Sequence, residues 1–316
     1  CGTLGVHGGQ SVFHRMQLSA GDEFWLEWTL ARLSGTDTLT VHAANGGTIA
    51  LSALTSASSN DVLRFLVESG GSIDLAALST TSNVQFDVRV PVQALPGLTV
   101  ANNTQFIARS GNTISAGALN DQDGGRVELE TNATFSAAVL QQMRNTTLTA
   151  QNGAVFNAPS LTDVAGSTLH LDPGFTFTSG ALNNIDRARL LVSDGLVFDA
   201  VTATAMAGTY TGSQTILRAD GTGTVLDLSS LQSLAADDND YGTDTLTVEA
   251  INSGEVDLQN IASAASNDVL RFHVASGGVL RLDGLQSTSH VTFDVDVPAY
   301  SLPALTEAGD TTFDVG

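Results

Sequence analysis

Apolar residues recur along this chain in short alternating runs, each closed by glycine or by a polar corner. Residues 23–30, EFWLEWTL, put Phe24, Leu26, Trp28 and Leu30 on one face. That is period two, the signature of a strand rather than a helix. From Leu39 the pattern is regular: LTVHA, a Gly-Gly turn at 46–47, TIALSAL, and a polar corner ASSND at 57–61. The next unit follows at once, with LRFLV, Gly70-Gly71, SIDLAAL and the corner STTSN. Similar units continue through VQFDVRV, TQFIAR, RVELE, TLTAQ, TLHLD, RLLVSDG and TILRADG, most followed by glycine and a second short strand. The strongest helical segment, NATFSAAVLQQMR at 132–144, reads within this frame as a strand and its following corner.

One stretch occurs twice. Residues 35–99 match residues 242–306 without a gap, with roughly 38 of 65 positions identical. Between Leu39 and its counterpart Leu246 lie about nine units, a mean near 23 residues each. A unit of two or three short strands cannot bury its apolar face alone, but copies stacked about 4.8 Å apart can. The fold expected is therefore all-β, a right-handed parallel β-helix (solenoid) of about 13 coils of roughly 21–24 residues. Its expected inward set is Leu39, Val41, Ile49, Leu51, Leu54, Leu63, Phe65, Val67, Ile73, Leu75 and Leu78. In the second copy the set is Leu246, Val248, Val256, Leu258, Ile261, Leu270, Phe272, Val274, Leu280, Leu282 and Leu285. A leucine-rich-repeat horseshoe would carry an LxxLxLxxN frame, which is absent. Residues 1–316 read as one continuous solenoid, and TTFDVG at 311–316 repeats the phase of 104–109, so a fragment of a longer repeat protein is expected.

Charge narrows the partners. The formal net charge is −21, the twelve basic residues are all arginine, and there is no lysine. Such a field repels phosphate backbones and anionic lipid, so neither nucleic-acid binding nor membrane insertion is expected. No apolar run approaches the roughly 18–20 residues of a spanning helix. Cys1 is the single cysteine, which excludes an internal disulfide. It reads as a fragment boundary rather than as a lipidated end. Stability must come from burial and backbone hydrogen bonds.

Candidate chemistry is sparse. The most polar loop is Asp237-Asp238-Asn239-Asp240-Tyr241-Gly242-Thr243-Asp244, where Asp238, Asp240 and Asp244 present oxygen ligands suited to Ca²⁺, although the closing glutamate of a Ca²⁺ loop is missing. Asn60-Asp61 and Asn267-Asp268 recur identically and suit turns. Asp87 and Asp294, with Asp296 beside the latter, lie outward and would form carboxylate ladders on one face. Paired carboxylates are the equipment of glycoside hydrolysis. The polygalacturonase motifs Gly-His-Gly and Arg-Ile-Lys are absent, as is the lysine that polysaccharide lyases of this fold employ. No catalytic residue is assigned, and no enzymatic activity is expected. Histidines 7, 14, 42, 170, 273 and 290 show no metal-ligand spacing. Trp25 and Trp28 fall on opposite faces of their strand, and Asn102, Asn132 and Asn145 begin N-x-[ST] sequons.

The recurring frame is an alternating strand, Gly-Gly, a second strand ending in D/S-L-x-x-L, and Leu-Pro-x-Leu-Thr at 95–99 and 302–306. It resembles the repeat regions of very large bacterial cell-surface or secreted proteins of adhesin and autotransporter-passenger type. That resemblance implies an extracellular or cell-surface β-solenoid acting as stalk, surface-layer component, filament scaffold or adhesive module. The partners it implies are other copies or segments of the same protein and extracellular glycans. The alternative is a carbohydrate-binding or polysaccharide-degrading β-helix, which a groove of exposed aromatics and carboxylates would mark.

Overall fold

A computed structural model describes residues 38–208, 214–236 and 245–316. Those residues form a parallel β-solenoid of about 12 turns, with no helix among them. Strand pairing is parallel throughout, each strand bonding to its counterpart in the next coil. The segment 132–144 holds strands Thr134–Ser136 and Gln142–Arg144 with a turn between, as the repeat frame requires.

Each coil shows three faces, and the sequence dictates where it turns. One 17-stranded sheet carries two faces, exemplified by strands Thr80–Arg89, Val100–Ala108 and Asp121–Leu129. These strands bend midway at a residue with positive φ: Asn83 at 56°, Asn103 at 42° and Gly124 at 75°. Asparagine tolerates the left-handed region better than most residues, so it shares this corner with glycine. The third face is made of short strands such as Thr113–Ser115, Thr134–Ser136 and Val155–Ala158.

From the third face the chain returns through the L-x-x-L motif, which is a β-turn. Leu78 N–H donates to Leu75 O (3.1 Å), Leu98 to Leu95 (3.3 Å) and Leu285 to Leu282 (3.1 Å). Both leucines of each pair are buried. Where an aspartate precedes the motif, its Oδ1 accepts from the turn: from Ser229 N–H at Asp227 (2.8 Å) and from Gln259 N–H at Asp257 (3.0 Å). At the Gly-Gly corner the coils come too close for a side chain. A Cβ on Gly278 would collide with Ala250 O, and one on Gly71 with Ala43 O, the same position in the two copies.

The inward ladders follow the expected set. All eleven residues of the second copy are buried, as are Phe65, Val67, Ile73, Leu75 and Leu78 of the first. Leu39, Val41, Ile49, Leu51, Leu54 and Leu63, in the first described coil and the start of the next, are half-buried. Most turns hold one phenylalanine, on either of two facing sheets. Phe65, Phe86 and Phe106 stack on one face with centroids 5.4 and 5.5 Å apart. The column then crosses the interior, Phe106 to Phe135 at 5.1 Å, and continues through Phe156, Phe177 and Phe198 on the third face. The positions that Phe65, Phe86 and Phe106 occupied are taken there by Val127, Leu148, Leu169 and Leu190. In the central coils a ring on one face is met by an aliphatic residue on the other, Phe106 with Ile114, Val127 with Phe135 and Leu148 with Phe156, whereas Phe86 faces Gln93 and Phe293 faces Tyr300 at the equivalent position.

Coil length exceeds the expected 21–24 residues at two places. Register partners step from Leu190 to Leu217 and from Leu217 to Val248, spacings of 27 and 31 residues. The added residues lie between strands Ala205–Ala207 and Gln214–Asp220, and between Ser233–Ala235 and Thr245–Ile251. A shorter insertion falls at the same corner in the duplicated units, where 59–62 occupy the place that Asn83 alone fills one coil later. Asn60-Asp61 thus sits in a bulge, with Asp61 N–H bonded to Ser59 Oγ (3.1 Å); Asp268 repeats this contact with Ser266 Oγ (3.0 Å).

Candidate functional site: a charge ladder on the outer sheet

The alternation that buries Phe86 and Val88 turns Asp87 outward, yet the Asp87 side chain is 0% exposed. Three guanidinium groups cover it. Arg109 binds both oxygens, Nε to Oδ1 at 2.9 Å and Nη2 to Oδ2 at 3.2 Å. Arg89, on the same strand, donates to both oxygens at 3.3 and 3.2 Å. Arg64 reaches Oδ2 diagonally from the preceding coil. Stacking makes this possible, because residues separated by 22 or 23 positions become neighbours across one ladder spacing.

The arginines hand the charge onward. Arg89 donates to Glu68 Oε2 (3.2 Å), whose Oε1 contacts His42 Nε2 (3.0 Å). Arg109 donates to Glu130 Oε1 (2.7 Å), and Glu130 Oε2 accepts from Ser110 N–H (3.0 Å). Arg126 pairs with Glu128 (2.7 Å). Burial by itself would raise the Asp87 carboxyl, but hydrogen bonds from Arg109, Arg89 and Arg64 outweigh it and hold the group well below the carboxylate range. Hydrogen bonding to Asp87 likewise raises Arg109, and hydrogen bonding from Arg109 lowers Glu130. A carboxylate held charged and capped on every side cannot serve as a general acid.

The second copy retains the centre of this network and changes its surroundings. Arg271 donates to Asp294 as Arg64 does to Asp87. Asp296 stands where Arg89 stood, and Glu249 and His273 replace His42 and Leu66. His273 Nδ1 contacts Glu249 Oε1 at 2.8 Å, its Nε2 lies 3.9 Å from Asp294 Oδ2, and Arg218 donates to Glu249. With fewer covering cations, the Asp294 side chain is 26% exposed.

Asp87 and Asp294 therefore do not stack on each other, although Asp294 has Asp314 as its ladder partner in the next coil. Asp87 and Asp294 are each paired with arginine and stand nine coils apart, roughly 43 Å at the ladder spacing. Asp238, Asp240 and Asp244 lie outside the described residues, as do Trp25, Trp28 and Cys1. Among the described residues no group of three or more His, Cys, Asp or Glu side chains converges as a metal ion needs. Asn102, Asn132 and Asn145 are exposed at corners or strand edges. The arginine clamp itself was not anticipated, because it joins residues a coil apart with a diagonal offset. The signal was present in the recurrence of Arg64 and Asp87 as Arg271 and Asp294. Compared with protein-family models, with curated proteins and with solved structures, the chain matches none.

Proposed function

We propose that this chain is a non-enzymatic structural or adhesive segment of a large bacterial cell-surface or secreted protein, working as stalk, surface-layer or filament scaffold. One observation carries the reading: the strongest polar cluster, around Asp87, is committed to holding successive coils together. The inward ladders and the corner hydrogen bonds have the same purpose, and together they make a stiff element whose length grows coil by coil. The acidic surface suits association through divalent cations or with neutral partners rather than with polyanions.

Protease shaving of intact cells that produce the parent protein tests this reading. Peptides from this segment should be released before lysis, and deleting the segment should reduce attachment or surface layering with no change in secreted hydrolase activity. Peptides that appear only after lysis would overturn the reading.

A further inference from the structure

A second feature is independent of the charge ladder. On the coils that lengthen, one corner earlier than the insertions, the passage from the third face to the large sheet holds an open groove of about 560 Å³. It is lined by Thr202, Thr204, Ser229, Ser230, Gln232 and Asn260, with Ala262 leaving room beside them. The cause is local. The corner of the coil that contains Val201 makes the pair of bonds onto the preceding coil that regular corners make, from Thr202 N–H (2.8 Å) and Ala203 N–H (3.0 Å) to Leu182 O, but Val201 N–H makes no turn bond to Phe198 O. The next two coils keep the regular turn, with Leu231 N–H donating to Leu228 O (2.9 Å) and Ile261 N–H to Leu258 O (3.0 Å). The groove lies between one irregular corner and two regular ones.

We propose that this groove binds a neutral, hydroxyl-rich ligand: an uncharged glycan chain laid across three coils. The groove is shallow and open to solvent, so a ligand would lie along it rather than be enclosed. Every polar lining group is a hydroxyl or an amide, the side chains able both to donate to and to accept from sugar hydroxyls. Part of the set is already fixed in place. Asn260 Nδ2 donates to Ser229 O (2.9 Å) and Ser230 Oγ to Val201 O (3.3 Å). The Thr204 and Ser229 hydroxyls and the Gln232 amide make no side-chain hydrogen bond to the described residues and stand ready for a ligand. No lining residue is charged in a chain of net charge −21, so the surrounding field disfavours uronates and sulfated sugars while leaving neutral ones unaffected. No aromatic platform is present among the lining residues, so each contact is weak, and useful attachment arises from many copies of the groove on one surface.

This inference gives the adhesive reading a ligand, while the scaffold reading stands without it. Titrating the 316-residue chain with cellohexaose, chitohexaose, mannohexaose and hexagalacturonate at millimolar concentration tests it by calorimetry. At least one neutral hexasaccharide should bind and hexagalacturonate should not. Gln232→Ala and Thr204→Ala should each weaken binding about fivefold, the loss of one hydrogen bond. Ser230→Phe, which fills the groove, should abolish it, and Thr134→Ala on the third face far from the groove should change nothing. Each variant is compared only after its far-UV spectrum and melting temperature are shown to match the parent. Binding by none of the neutral sugars, binding that survives Ser230→Phe, or equal binding of hexagalacturonate would each overturn the proposal, and none would bear on the shaving result.

Discussion

Arg271 clamps Asp294 as Arg64 clamps Asp87, so one diagonal contact between adjacent coils appears twice in a single rod, 207 positions apart. What differs is coverage. Asp87 has three arginines and a side chain 0% exposed, whereas Asp294 has one arginine and 26% exposure. Removing the negative charge from a buried, hydrogen-bonded cluster leaves like charges facing one another, at a cost of about 3–5 kcal/mol. A half-exposed pair contributes about 1 kcal/mol or less. Asp87→Asn should therefore lower unfolding free energy by several times the loss in Asp294→Asn, as read by urea titration. Equal losses would show that burial does not set the strength of the clamp.

The same clamp gives a pH dependence of defined sign. The Asp87 carboxyl is lowered from its ordinary value of 3.8, and Glu130 is lowered in the same direction. A carboxyl whose folded value is depressed contributes stability above its unfolded value and loses it as pH falls from there toward the folded one. Stability should be flat for these groups above about pH 5 and decline progressively below about pH 4. Asp87→Asn should flatten part of that acid limb in denaturation curves taken from pH 6 to pH 2. An acid limb unchanged by the substitution would assign the pH dependence to other carboxylates.

Ring placement makes a prediction about packing. Phe135 is fully buried between Phe106 and Phe156, and Val127 occupies the facing sheet of the same coil. Phe135→Ala should cost about 3–5 kcal/mol, while Phe313→Ala, at a site 51% exposed, should cost far less. If each turn accommodates one large ring on either face, Val127→Phe introduced into Phe135→Leu should recover about 1 kcal/mol of the loss. Introduced alone, Val127→Phe should destabilise by overpacking. A double variant no more stable than Phe135→Leu alone would mean that the two faces do not share volume.

Much of this architecture was legible because its determinants are local and periodic. Alternation over LRFLV and SIDLAAL fixes which side chains point inward, and the L-x-x-L spacing fixes a turn whose two leucines are both buried. Coil length was less legible. A mean near 23 residues over nine units concealed steps of 27 and 31, because insertions at a corner leave the strand pattern intact. Asn83 and Asn103 take positive φ where the sequence shows only a polar stretch, since a single residue in that conformation has no periodic signature. The candidate sites were the least legible. The clamp around Asp87 depends on diagonal contacts between coils, and the groove at Gln232 lies beside one corner that lacks the regular turn bond. Both follow from how coils sit on one another, which no single coil encodes.

Stacking by coils also predicts which deletions the chain tolerates. In the central region Val127 pairs with Leu148, Thr147 with Thr168, and Leu169 with Leu190, so each step there is 21 residues. Removing residues 148–168 joins Thr147 to Leu169 and places Leu169 beside Val127, where Leu148 had been. The aromatic column closes as well, since Phe177 takes the place of Phe156 against Phe135. Each coil contacts mainly its two neighbours, so stability is close to a sum over coils and their interfaces. This 21-residue deletion should fold, keep the parent's β-type far-UV spectrum, and show a urea m-value reduced in proportion to the single coil lost. Removing residues 148–157 instead joins Thr147 to Ala158, sets a strand of one face where another belongs, and should abolish cooperative unfolding. If the 21-residue deletion fails to fold while its expression matches the parent, or if the 10-residue deletion folds equally well, the coil is not the unit of this structure.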